Sequence, residues 1–140
     1  MSTDAPTVTY WHVCTDAHGV SHQERRTLHA FEHQSMGGAA LQWNDVLEQK
    51  PARAMFSVLP AGWIGDWHEN PAPQWIVPLS GRWFVETMDG TRVEMGPGEV
   101  SFGGDQGCVA DAHGRKGHRS GTVGGEPAVL MIVQMDGGNG

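Results

Sequence analysis

Short apolar and β-branched runs broken by turn formers recur along the chain, and one segment places its apolar residues near helical spacing. Residues 7–13 (TVTYWHV) are rich in β-branched and aromatic side chains and predict a strand. Asp16, Ala17, His18 and Gly19 read as a turn. Residues 21–31 return as a second strand, with Arg25, Thr27 and His29 alternating against Arg26 and Leu28. Residues 39–49 place Leu41, Trp43, Val46 and Leu47 near helical spacing, so a short helix and an irregular edge segment both fit before Pro51. From residue 54 the pattern becomes denser. Residues 54–59, 63–68, 74–79, 82–88 and 92–95 are five short candidate strands, and 99–102, 116–123 and 127–135 continue the series. Pro60-Ala61-Gly62, Asn70-Pro71-Ala72-Pro73, Ser80-Gly81, Asp89-Gly90 and Gly96-Pro97-Gly98 punctuate them. Asp89-Gly90 is the sharpest hairpin signal, because both residue types tolerate the positive φ of a two-residue loop. Evenly spaced short strands of this kind predict an all-β sandwich, jelly roll or closed barrel.

No internal repeat or linker divides the sequence, so we expect one domain. Residues 1–53 supply N-terminal strands and a connecting segment, 54–135 the main β unit, and 136–140 a frayed tail. The glycine-rich stretch 103–117 is the longest irregular segment after residue 54. Its composition suits a mobile lid, since glycine allows positive φ at low steric cost, and an idle surface insertion is the alternative.

Composition narrows the functional classes. The 140 residues include 20 Gly and 8 Pro, which fits many tight turns. Lys and Arg number 9 against 16 Asp and Glu, a net charge of −7, so nucleic acid and anionic membranes are disfavoured partners. No run approaches the ~18 apolar residues that span a bilayer. The first residues lack a basic stretch followed by an apolar one, so we expect a cytoplasmic protein in which Cys14 and Cys108 remain free thiols. No glycine-rich phosphate loop suggests a nucleotide cofactor.

One spacing is specific. Gly62, five residues, His68, one residue, Asn70, three residues, Gln74, six residues and Gly81 follow one another in order. This resembles the first motif of the cupin superfamily, in which Asn70 occupies the place of a second His and Gln74 that of a Glu. Residues 96–100 resemble the Pro-Gly-Asp turn that opens the second cupin motif, and His118 resembles its closing His, with extra residues between them in 103–117. Trp67-His68, Ala72-Pro73-Gln74 and Leu79-Ser80-Gly81 are similar to a group of small bacterial single-domain cupins. The resemblance covers residues 54–134. It implies a cupin-type jelly-roll barrel, often dimeric, whose pocket holds a divalent Zn, Fe, Ni, Mn or Cu ion.

On that resemblance, His68, Gln74 and His118 are the candidate metal ligands. Strand alternation would then aim Ile64, Asp66 and His68 inward with Gln74 and Ile76, and Trp63, Trp67 and Trp75 outward. An amide in place of a carboxylate leaves more positive charge on the metal, which favours Lewis-acid and proton-transfer chemistry over oxygen activation. Asp66, Glu69 and His113 are the candidate acids and bases beside a metal-bound water. Asn70 before Pro71 reads as a turn former. The remaining histidines, His12, His18, His22, His29 and His33, read as ordinary surface or core residues, Cys108 as an inert thiol, and Lys116 and Arg119 as a solvated rim. The expected function is a metal-dependent enzyme acting on a small organic molecule by proton transfer (isomerase, lyase, cyclase or hydrolase). A redox-metal dioxygenase and a non-catalytic ligand-binding protein are the alternatives. The outward Trp face suggests a homodimer.

Overall fold

The computed structural model describes residues 4–47 and 51–135. They contain eleven strands and no helix: β1 Val8–Thr15, β2 Ser21–Leu28, β3 Glu32–Gln34, β4 Gln42–Asn44, β5 Ala52–Leu59, β6 Gln74–Ser80, β7 Arg82–Thr87, β8 Arg92–Met95, β9 Ser101–Gly104, β10 His118–Val123 and β11 Ala128–Met135. Where 39–49 left helix and edge segment open, β4 pairs with β3 as a small two-stranded sheet. Residues 48–50 and the tail 136–140 lie outside the described residues.

Six strands form a mixed sheet in the order β2-β1-β9-β6-β11-β5, with β1 and β9 parallel and the other pairs antiparallel. A second sheet, β10-β7-β8, is antiparallel. The core lies between the two. Val13, Ile76, Ala128 and Leu130 from the large sheet meet Trp83, Val85 and Met95 from the small one. Burial of such side chains is worth about 1.5–3 kcal/mol each, which is the main force closing the two layers. No ladder joins the sheets into a closed barrel among the described residues, so the fold stands as an all-β domain of two packed sheets with the small β3–β4 ribbon beside them.

The alternation expected for 74–79 is present, with Ile76 in the core and Trp75 on the outer face against Tyr10 and Phe102. That expected for 63–68 is not. This segment makes only two isolated bridges, Ile64 with Gly121 and His68 with His118, and Ile64 is 62% exposed. Its apolar side therefore faces away from the core. The three tryptophans do not share one face either. Trp75 lies on the large sheet, whereas Trp67 lies under the guanidinium groups of Arg115 and Arg119, beside the small sheet. Asp89-Gly90 does close the β7–β8 hairpin, but only Gly90 adopts positive φ. Asp89 instead accepts from Thr87 Oγ1 and the Thr91 amide through Oδ1, so its side chain, not its backbone freedom, shapes the turn.

Candidate functional site

β10 begins at His118, and its first backbone pair is with His68: each amide donates to the other's carbonyl at 2.9 Å. This bridge sets the two imidazoles 4.8 Å apart, centroid to centroid, with the planes tilted by 49°. His118 is 5% exposed, while His68 is exposed. His118 Nδ1–H donates to Asp105 Oδ2 at 2.7 Å, and Asp105 is fully buried. His68 Nδ1–H donates to the Asp66 carbonyl at 2.8 Å. With Nδ1 committed on both rings, each neutral imidazole keeps its lone pair on Nε2.

Asp105 is held from several sides. Its Oδ1 accepts from the Asn70 amide at 2.9 Å and from Asn70 Nδ2 at 2.8 Å. Burial pushes this carboxyl's pKa up, but the donors from His118 and Asn70 outweigh burial and hold it below the ordinary carboxylate value. The network continues inward. Gln74 Nε2 donates to Asn70 Oδ1 at 2.7 Å, and Gln134 Nε2 donates to Gln74 Oε1 at 3.1 Å. Gly103 lies so close to the Asn70 amide that a Cβ there would overlap it. The sequence therefore brings His68 and His118 together, but it places Gln74 one residue behind them. Both ends of its amide are engaged, and it meets the histidines only through Asn70 and Asp105. Asn70 is more than a turn former, since it links Gln74 to Asp105.

The three candidate acids and bases fall elsewhere. Asp66 is exposed and contributes its backbone carbonyl to His68. Glu69 accepts from the Cys108 amide at 3.0 Å and faces Lys116 Nζ at 3.5 Å. His113 is exposed in a turn held by Asp111, whose Oδ1 accepts its backbone amide at 2.9 Å. The segment 103–117 is bound to the body of the domain. Asp105 and Cys108 are buried in it, Gln106 Nε2 donates to the Asn70 carbonyl, and the Val109 amide donates to Gly19. Its first half builds the site and does not hang over it as a free lid. Asp105 was missed in the sequence because a lone acid in a glycine-rich loop carries no periodic signal.

A second cluster lies on the outer face of the β1–β2 hairpin. The register pairs Cys14 with His22 and His12 with Glu24. Cys14 Sγ is 3.1 Å from His22 Nε2, and the same nitrogen is 3.0 Å from Glu24 Oε1. Arg26 holds the other carboxylate oxygen, Oε2, at 2.8 and 3.0 Å. Donor atoms of Cys14, His22 and Glu24 lie within 4.8 Å of one another, so this group could hold a metal ion. Among the described residues, no group of three His, Cys, Asp or Glu side chains around His68 and His118 converges in this way. The Cys14 thiol pKa is raised, first by burial and then by Glu24. His12 is pushed down by burial and by Arg26. Both cysteines are free, as expected. The hairpin cluster was legible in principle: once a turn at 16–19 is proposed, Cys14 and His22 become cross-strand neighbours. No family model matches the chain, and a search of curated proteins finds no significant match.

Proposed function

We propose that the chain is an enzyme acting on a small organic molecule by proton transfer at His118. The buried Asp105–His118 pair, with the His68 imidazole beside it, carries this reading. A carboxylate bonded to Nδ1 orients the ring, keeps Nε2 free to accept a proton, and stabilises the imidazolium that forms. His68, more exposed and tied through its own Nδ1, is placed to return a proton from the solvent side. A cupin-type centre at His68, Gln74 and His118 fits poorly, because the Gln74 amide is already bonded to Asn70 and Gln134. Two imidazoles are fewer protein ligands than the three of a usual catalytic zinc site. The proposed chemistry is accordingly that of the side chains themselves.

A nitrobenzisoxazole, whose ring opens on loss of one C–H proton with a colour change, reports an accessible base. The wild-type protein should open it faster than buffer does, and His118→Ala should lower that rate by about 10²–10⁴-fold. Equal rates for the two proteins would overturn the proposal. A non-catalytic binding role is the second reading. It is favoured by the Gln134, Gln74, Asn70 and Asp105 chain, in which the amides are bonded to one another and none is left over for chemistry.

A further inference from the structure

We infer that Cys14, His22 and Glu24 form a binding site for one zinc-class divalent ion, independent of the His118 site and built on the opposite side of the large sheet. His22 Nε2 faces a thiol sulfur at 3.1 Å and a carboxylate oxygen at 3.0 Å. If Nε2 carries a proton, it can satisfy only one of the two well. If it carries a lone pair, that pair points at the carboxylate. A cation among the three donors removes the conflict, because sulfur, nitrogen and oxygen then all serve as acceptors of positive charge.

The same geometry argues against a nucleophile triad. In a thiol–imidazole–carboxylate relay the thiol and the carboxylate occupy opposite ring nitrogens. Here both address Nε2, so the three groups converge on a point and do not form a chain. A mixed thiolate, imidazole and carboxylate set suits zinc, a borderline ion that accepts all three. Arg26 fixes the Glu24 carboxylate through Oε2 and leaves Oε1 turned toward His22, the kind of outer contact that orients a ligand. A further nitrogen stands on the same face: His12, paired in register with Glu24, has a buried Nδ1 without a hydrogen-bond partner. Cys14 and His22 are half-buried and Glu24 is exposed, so an ion can enter from solvent. On binding, the Cys14 S–H proton leaves to solvent as the sulfur–metal bond forms.

The consequence is structural. β2 is an edge strand, and its Ser21 and the adjoining turn support the segment that carries Asp105 and leads to His118. Ser21 Oγ donates to the Gly117 carbonyl, and the Val109 amide donates to Gly19. An ion bridging Cys14 on β1 to His22 and Glu24 on β2 staples that hairpin.

The test uses full-length protein, freed of metal with a chelator and carrying no histidine tag, titrated with Zn²⁺ and with Co²⁺. One equivalent of each should bind, Co²⁺ should give a thiolate charge-transfer band, and Zn²⁺ should raise the melting temperature. Cys14→Ser should lose the band, and His22→Ala and Glu24→Gln should lose stoichiometric binding, while His118→Ala should bind as the wild type does. In the wild type, Zn²⁺ should also slow alkylation of Cys14, a readout that needs no variant to fold. Absence of one-to-one binding, a band that survives in Cys14→Ser, or loss of binding in His118→Ala would overturn the site.

Discussion

Asp105 concentrates more of the site's electrostatics than any other side chain. It is fully buried, accepts from His118 and twice from Asn70, and holds its pKa below the ordinary carboxylate value despite its burial. A hydrogen bond to a buried charged group of this kind contributes about 1.5–3 kcal/mol. Asp105→Asn should therefore lower the unfolding free energy by that amount in urea titrations at neutral pH. The pH dependence follows from the direction of the shift. A carboxyl with a depressed folded pKa adds stability that is complete above its unfolded value near 4 and disappears as the pH falls through the folded one. Wild-type stability should drop below about pH 4, and the Asn variant should lack that part of the loss.

Among the elements, the junction of β10 with the 63–68 segment depends on one residue. Gly117 has φ +79°, and a Cβ there would collide with the His68 backbone carbonyl. Gly117→Ala should cost at least about 1–3 kcal/mol from the left-handed backbone alone. It should also open the His68–His118 bridge, which would show as faster exchange of those two amides. The β1–β2 hairpin is the opposite case, a local element whose register could be read directly. Its turn closes through Asp16, whose Oδ1 accepts from the His18 and Val20 amides at 2.8 and 3.0 Å. Every cross-strand pair follows from that turn, including Cys14 with His22.

For the whole molecule, the outer face of the large sheet carries exposed apolar side chains. Phe56 and Val58 on β5 are 70% and 60% exposed, and Leu79 on β6, across β11 from them, is exposed as well. Toward the other end, Val8, Tyr10, Leu28, Trp75, Val77 and Val133 line an apolar groove of about 520 Å³. Exposed apolar surface is where association would gain most from burial. We propose that a second copy covers it, because a sheet face with its charged residues confined to the β2 edge can pack on itself without burying unpaired charge. Sedimentation should give a dimer for the wild type and a monomer for Phe56→Glu with Val58→Glu. A wild-type monomer at high micromolar concentration would exclude the interface.

Local physics fixed a good deal before any tertiary contact formed. Short apolar and β-branched runs between turn formers marked each of the strands from β5 to β11, because such side chains suit a half-buried pleated surface wherever it lies. Turn residues placed the breaks between them, since few side chains tolerate those backbone angles. His68 and His118 stood out only because their spacing resembles a known motif, not through any local pattern. What the sequence could not decide was which faces meet. Residues 63–68 alternate like a strand, yet no sheet covers them, so Ile64 and His68 face outward. Gln74 lies at the spacing of a ligand, but Asn70 and Gln134 claim its amide from 4 and 60 residues away. Asp105 becomes the partner of His118 only because a loop with no periodic signal turns inward and is held there by Asn70. Such pairings join distant parts of the chain. Their stability comes from burial and from hydrogen bonds that exist only after the two sheets have closed, so no local pattern records them.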